Sequence, residues 1–346
     1  MKTYYDIHCH VFNKDVIIRR LVNVVQSLVS IKDMLKGEVS EADLKLKIEG
    51  INKTLEDVLN SSEEVFQVLN NVYDGKFVTT PLMFDLTYAD DNDDDEHKNK
   101  RYRRRIKLIF KVAAKLIPIV KLKIKDKELR KSLDPIRDGL KKFAKKFDKK
   151  SDEEVEIFDD ANYAQQIIDL EFLSEKYSSV KPFFSVDPRR EYKGGTNMLR
   201  LLKEKLLDDN AKFAGIKIYS PAGFSPTDPV LMGTETQEGV YAMCEKNKIP
   251  LTVHNSDAGF ACLSKNLLIN GHIYLNDEIK YVENYKHTFE YDFFSLKTSE
   301  AISERARLLN HPKIWRVVLE KYPNLTINFA HFGGAGQIME YIDYHY

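Results

Sequence analysis

Short apolar runs, rich in β-branched and aromatic residues, alternate along the chain with longer segments whose apolar residues recur at helical spacing. Such alternation is typical of parallel strands with helices packed outside them. The runs that we interpret as strands are residues 4–10, 77–84, 180–186, 214–219, 250–254 and 325–331. Helices are predicted at residues 197–207, 235–246 and 301–322. The pattern therefore predicts an α/β fold in which six strands are visible.

Two segments interrupt the alternation, and we interpret both as helical insertions. The first spans residues 15–75, after the first strand, and the second spans residues 86–160, after the second strand. The second insertion begins with an acidic run at residues 90–96 and continues through a lysine- and arginine-rich segment at residues 98–150. Apolar residues between Ile106 and Val120 recur at steps of three and four, which predicts an amphipathic helix.

The basic segment has two interpretations. Residues 98–150 would make a weak contact with an anionic partner, such as a membrane surface or a polyanion. Alternatively, they form a solvated helical lid whose cations are offset by the neighbouring acidic run. We favour the second interpretation.

Charge, cysteine content and hydropathy indicate the compartment in which the protein works. The formal net charge is zero, which gives no long-range reason to expect binding to nucleic acid. The three cysteines form no CxxC pair, as expected in a reducing compartment. The first ten residues contain Asp6, His8 and His10 where a secretory signal needs an unbroken apolar run. No apolar stretch approaches the ~20 residues of a membrane span. We therefore expect a cytoplasmic protein.

The first predicted strand ends in His8-Cys9-His10. Alternate side chains of a strand share a face, so both histidines point one way and Cys9 points the other. Two imidazoles at this spacing can chelate one cation at ~2.0–2.1 Å. The pattern alone is weakly specific, but its place at a strand end, directly before a polar turn, favours a metal site.

Two further strands end in histidine, and a fourth carries a buried lysine. His254 and His331 close the fifth and sixth predicted strands. Burying several polar rings at one end of a core is costly unless something satisfies them, and a shared metal ion would do so. Lys217 lies in the apolar run of residues 214–219. It would be carbamylated and bridge two metals, face a substrate carboxylate as a cation, or pair with an acid.

The motifs together resemble the amidohydrolase superfamily. Within it, they are similar to the amidohydrolase-related branch that includes aminocarboxymuconate-semialdehyde and resorcylate decarboxylases. The matching pieces are residues 6–10 (DIHCH), 187–190 (DPRR), 215–219 (GIKIY), 250–254 (PLTVH) and 330–334 (AHFGG), with Trp315 and residues 322–323 (YP) before the last. Their order follows the six predicted strands, and the resemblance leaves out both insertions. It implies a TIM-type (β/α)8 barrel over residues 1–346, interrupted by the insertions at 15–75 and 86–160.

The resemblance also implies a divalent metal site. His8, His10 and His254 would be metal ligands. His331 would bind a second metal or position water or substrate, and Lys217 occupies the place of the carboxylated lysine of binuclear members. Zinc is the first expectation from nitrogen ligands, with manganese or iron as alternatives, and the number of ions is one or two.

Residues after the strands are candidates for contact with a small-molecule substrate. Arg189 and Arg190 follow the third strand, where a guanidinium would meet a carboxylate or form an ion pair at the barrel rim. Tyr219 would help to cap the site, and Asn255 would shape its floor.

One family feature is not found. The aspartate that the family takes from its eighth strand is absent, since the sequence ends twelve residues after Gly334. We therefore expect an incomplete barrel.

The leading expectation for function is metal-dependent hydrolysis of a C–N or C–O bond in an amide, lactone or ester. A non-hydrolytic, metal-dependent decarboxylase of an aromatic or muconate-type acid is the nearest alternative. An inactive barrel that serves as a binding scaffold is the second.

Overall fold

The computed structural model describes residues 3–9, 62–89, 114–115, 117–118, 121, 127–146, 160–257, 261–262, 264, 266–288 and 297–334. Its strands are β1 (Tyr4–Cys9), β2 (Phe77–Pro81), β3 (Phe183–Val186), β4 (Gly215–Ile218), β5 (Leu251–Ser256), β6 (Asn266–Leu275), β7 (Glu278–Thr288) and β8 (Ile327–Gly333). Its helices are α1 (Ser62–Val72), α2 (Lys127–Lys146), α3 (Asp160–Lys176), α4 (Arg189–Gly194), α5 (Met198–Leu206), α6 (Pro229–Met232), α7 (Val240–Asn247), α8 (Lys297–Asn310) and α9 (Pro312–Lys321). The chain divides into two compact units, one of residues 1–11, 69–93 and 158–346, and the other of residues 12–68 and 94–157.

Six parallel strands follow one another in chain order within the first unit. β1 pairs with β2, and β3, β4, β5 and β8 form one sheet in that order. Two isolated parallel bridges, Thr79 to Val180 and Leu82 to Phe183, join β2 to the β3 region. These strands lie within or overlap the six predicted apolar runs. The prediction of an α/β fold with parallel strands and helices is confirmed.

The register separates a polar face of this sheet from a helix-packed face. Ser185, Lys217, Thr252 and Asn328 are partners across β3, β4, β5 and β8, so their side chains share the polar face. On the other face, the ring of Phe329 lies 5.9 Å from that of Trp315 on α9. Alternation along each strand thus directs apolar residues to the helices and polar residues to the opposite side.

The antiparallel hairpin of β6 and β7 was not predicted. Its two-residue turn, Asn276-Asp277, has φ values of 53° and 62°, the left-handed conformation that hairpin turns of the primed types need. Buried side chains of β6 pack with Leu308 and Leu309 of α8. The sequence feature that could have predicted this hairpin is the Asn-Asp pair between two runs of strand-forming residues. The predicted number of six strands was too low, since the described residues contain eight.

Helix boundaries differ from the predictions where capping residues intervene. The helix predicted at residues 301–322 is two helices, α8 and α9. Pro312 begins α9, and Nδ1 of His311 accepts a hydrogen bond from the Lys313 amide at 3.2 Å, which caps the new helix. α7 begins at Val240, after Gly239, and not at residue 235. α5 matches its prediction closely because the Asn197 side chain caps it through the Arg200 amide.

The second unit is described mainly through α2, which lies in the second insertion. Leu133 and Ile136 are fully buried, as an amphipathic helix requires. Part of its charge is paired, since Asp134 accepts a hydrogen bond from Lys121 at 2.7 Å and lies 3.4 Å from Arg137. Most of residues 15–75 and 86–126 lies outside the described residues, so the lid and the anionic contact stay predictions. Nowhere in the described chain does a helix have the length and apolar character to cross a membrane.

Candidate active site

Three of the strand-end histidines meet at one edge of the parallel strands. The ring centroid of His331 on β8 lies 4.8 Å from that of His254 on β5 and 4.9 Å from that of His8 on β1. His254 is buried, His8 is half-buried and His331 is exposed. His10, the fourth predicted member, lies outside the described residues. We call His8, His254 and His331 the histidine cluster.

The contact between His8 and His331 requires a strongly curved sheet. β1 and β8 stand at opposite ends of the six parallel strands. Strands spaced ~4.8 Å apart in a flat sheet would separate the first from the sixth by roughly 24 Å. Because their side chains touch instead, the strands curl until the first and last approach each other at this edge.

Lys217 is buried on the polar face beside the cluster, with 1% of its surface exposed. Its Nζ lies 5.8 Å from the centroid of Tyr219, whose ring lies 4.4 Å from that of His254. Burial lowers the pKa of Lys217 to about 7. Within the described part of the chain, we find no hydrogen bond or ion pair of its amine that would oppose this shift.

The pKa values of His8 and His331 are lowered at this site. Burial lowers the pKa of His8 to about 4, and the charges of Lys217 and His331 add to this. Burial and Lys217 also lower the pKa of His331. His8 is therefore neutral at pH 7, which is the state in which imidazole binds a metal ion.

The cluster fits a divalent cation in donor type and spacing. Two imidazoles that share a zinc ion at ~2.0–2.1 Å place their ring centroids roughly 5 Å apart, close to the separations of 4.8 Å and 4.9 Å. Among the described residues, however, no three His, Cys, Asp or Glu side chains form a group that could hold a metal ion. A complete ligand set would therefore need a donor from outside the described residues, and His10 is the predicted one.

Arg189 and Arg190 are both engaged in buried ion pairs. Arg189 donates to Asp187 from Nε at 2.9 Å and from Nη2 at 2.5 Å. Arg190 donates to Asp85 from Nε at 2.5 Å and from Nη2 at 3.0 Å. Burial raises the pKa of Asp85, and Arg190 opposes this shift.

These ion pairs join the segments that follow β2, β3 and β4. Arg189 also donates to the carbonyl oxygens of Tyr88 at 2.8 Å and Ala222 at 3.0 Å. Asp85 was missed from the sequence because it lies 105 residues from its partner. Of the two roles open for these arginines, the geometry gives them the ion pair, and contact with a substrate stays a prediction.

Tyr219 and Asn255 occupy different environments. Tyr219 is buried between Phe84, at 4.3 Å between centroids, and His254. Phe84 is a neighbour that the sequence did not single out, although it ends the apolar run at residues 77–84. Asn255 is fully buried and donates from Nδ2 to the Asn310 carbonyl at 3.4 Å, which ties β5 to the end of α8. Tyr219 therefore contacts the histidine cluster, whereas Asn255 forms a hydrogen bond with the end of a helix.

Comparison of the chain with known proteins identifies no similar protein. Models of protein families, curated proteins and solved structures were compared with the chain, and none matches.

Proposed function

We propose that the chain is a metal-dependent hydrolase of the amidohydrolase type. Its reaction would be the attack of an activated water on a C–N or C–O bond of a small molecule, such as an amide, a lactone or an ester. The observation that carries the proposal is the meeting of His8, His254 and His331 beside a buried lysine, at one edge of six parallel strands.

We also propose that the fold is of the TIM-type (β/α)8 barrel class. Two observations support this: the six parallel strands follow chain order, and side chains of the first and last of them touch. In such barrels, active sites lie at the carboxyl ends of the strands. His8, His254 and His331 all lie near that end of their strands.

The histidines would hold a divalent cation, zinc first and manganese or iron as alternatives. His8 and His254, with His10, are the proposed ligands because their rings are at strand ends and the pKa of His8 is low enough to keep it neutral. The cation, when bound, supplies a more acidic water and polarises the scissile carbonyl.

His331 and Lys217 have separate proposed roles. His331 is exposed at the edge of the cluster, and its spacing from His8 and His254 suits a ring that binds a second ion. Without a second ion, its ring can hold the attacking water or donate a hydrogen bond to the developing oxyanion. Lys217, whose pKa is about 7, is partly an uncharged amine at neutral pH. The nitrogen of that form can bond to the carbon of carbon dioxide and release one proton, and the resulting carbamate would be an anionic ligand for a second ion.

Hydrolysis is favoured over decarboxylation by the state of the arginines. A decarboxylase of an aromatic or muconate-type acid needs a cation to hold the carboxylate of its substrate. Arg189 and Arg190 already bind Asp187 and Asp85 through two donors each. Lys217 is a further cation beside the cluster, but burial lowers its pKa to about 7, so part of it is uncharged at neutral pH. The rings of Tyr219 and Phe84 add aromatic surface there. We therefore propose a substrate with an uncharged, apolar acyl group.

The test is an activity panel on the purified protein reconstituted with zinc or manganese. Uncharged aryl esters, lactones and anilides are assayed for hydrolysis, and aromatic carboxylic acids are assayed for release of carbon dioxide. We expect hydrolysis of at least one uncharged class, lost at least 100-fold in His331→Ala and kept in His272→Gln, a control on the hairpin. Release of carbon dioxide without hydrolysis would overturn the proposal in favour of the decarboxylase.

A further inference from the structure

His331 lies on the face of β8 opposite to the one that regular strand geometry assigns to it. His254 pairs with Ala330, and paired residues of neighbouring strands direct their side chains to the same face. The next residue, His331, would then point with Phe329 towards the helices, where Phe329 contacts Trp315. Its ring instead lies 4.8 Å from that of His254.

A β-bulge explains the reversal. His254 pairs with Ala330 and Ser256 pairs with Gly333, so two steps along β5 correspond to three steps along β8. The extra residue falls at His331-Phe332, whose φ values are 72° and 45°. Bulges turn a side chain away from the regular alternation, and they are frequent next to active sites. A left-handed backbone is unfavourable for both residues, so neighbouring structure has to hold it.

Two glycines continue the left-handed conformation and anchor it to β5. Gly333 and Gly334 have φ values of 82° and 65°. A Cβ atom at Gly334 would overlap Oγ of Ser256 and lie 3.3 Å from Oδ1 of Asp257. Ser256 is two residues after His254 on the same strand. A side chain at this position would be strained by the backbone conformation and would force the Ser256 hydroxyl to shift.

We infer that the bulge at His331-Phe332, held by the close packing of Gly334 on Ser256, is the device that turns His331 into the histidine cluster. Gly334 is in this sense a positioning residue: it touches no reacting group and acts through the direction of a neighbouring side chain. The inference rests on the proposed function only in treating the cluster as the site.

The test compares two glycines with the same backbone conformation and different surroundings. Gly195 has a φ of 62° and no heavy atom within 4 Å of an added Cβ atom, so Gly195→Ala introduces the backbone strain alone. Gly334→Ala introduces the strain and the overlap with Ser256. The double variant Ser256→Gly/Gly334→Ala removes the overlap again.

The first readout is the nuclear Overhauser effect between the rings of His254 and His331 in metal-free protein with isotope-labelled histidine. The contact between His272 and Tyr281, at 5.2 Å between centroids, reports in the same sample that the protein is folded. The second readout is the dissociation constant for zinc, from competition with a chromophoric chelator.

We expect Gly334→Ala to lose the His254–His331 signal, keep the His272–Tyr281 signal and weaken zinc binding at least tenfold. Gly195→Ala should leave the signal between the histidines and zinc binding within twofold of wild type, and the double variant should recover the signal. Loss of the signal in both single variants or in neither, or no recovery in the double variant, would overturn the inference. A wild-type protein that shows the ring contact but binds no metal would refute the proposed function and leave this inference standing.

Discussion

The rings of His8 and His331 lie 4.9 Å apart between centroids, although they belong to strands at opposite ends of the parallel series. This contact relates the fold to the candidate chemistry, because only a strongly curved sheet brings the two residues together. Burial lowers the pKa values of both rings, and the charge of Lys217 adds to this effect.

Replacing Lys217 with methionine should stabilise the metal-free protein while abolishing hydrolysis. Burial lowers the pKa of Lys217 from 10.5 to about 7, so the unfolded chain binds this proton more tightly than the folded one. Wild-type stability should therefore rise with pH between about 7 and 10.5, and this contribution should be lost as the pH falls through about 7.

Lys217→Met removes that dependence, and we expect a gain on the order of 1–3 kcal/mol in the free energy of unfolding at pH 7. Urea unfolding at several pH values measures both effects. An unchanged slope between pH 7 and 10 in the variant would show that another group is responsible.

Arg190→Met should destabilise the protein by about 3–5 kcal/mol, because it leaves the Asp85 carboxylate buried without its guanidinium. The double variant Arg190→Met/Asp85→Leu removes both charges and should recover most of the loss. Arg200→Met, at an exposed position, is the control and should change stability by less than ~0.5 kcal/mol. Chemical denaturation of wild type and the three variants measures these differences in the free energy of unfolding. If Arg190→Met keeps wild-type stability and only raises KM, Arg190 binds the substrate and does not stabilise the fold.

Asp228→Asn should flatten the pH dependence of stability between pH 4 and 7. Burial raises the pKa of Asp228 from 3.8 to about 7, although Tyr192 donates a hydrogen bond to it at 2.5 Å. The folded state therefore binds the proton more tightly, and the contribution of Asp228 to stability declines as the pH rises through this window. Asparagine has no proton to lose and keeps an oxygen that can accept from Tyr192 and from the Val230 amide. The difference between variant and wild type in melting temperature should grow from pH 4 to pH 8; a constant difference would contradict the assigned pKa.

The periodicity of the sequence was sufficient to predict the parallel strands and the histidines at their ends. His254 and His331 each close an apolar run, and the carboxyl ends of parallel strands meet at one edge, so the local pattern predicted that their backbone positions lie at the same edge. The partner of Arg190 did not follow, because Asp85 lies 105 residues away and only the fold brings them together.

Two other features needed the structure for different physical reasons. The hairpin of β6 and β7 rests on a two-residue turn at Asn276-Asp277, which is a short and weak signal within a long segment. The orientation of His331 depends on an extra residue in β8, and alternation alone would have pointed its ring to the helices. The hydrophobic pattern therefore predicts which residues lie at the carboxyl edge of the strands. The β-bulge and the partners that are distant in sequence determine the direction and the contacts of their side chains.

We propose above all that the strand-end histidines, His8 and His254 with His10, hold a divalent metal ion. The most direct test is metal content by mass spectrometry after reconstitution with zinc, manganese or iron, for wild type, His8→Ala, Lys217→Ala and the hairpin control His272→Gln. We predict near-stoichiometric metal in wild type and in His272→Gln, loss of metal in His8→Ala, and a fall from two ions to one in Lys217→Ala if the lysine is carboxylated. Wild-type protein that retains no metal under any of the three conditions would overturn this proposal and favour the inactive binding scaffold.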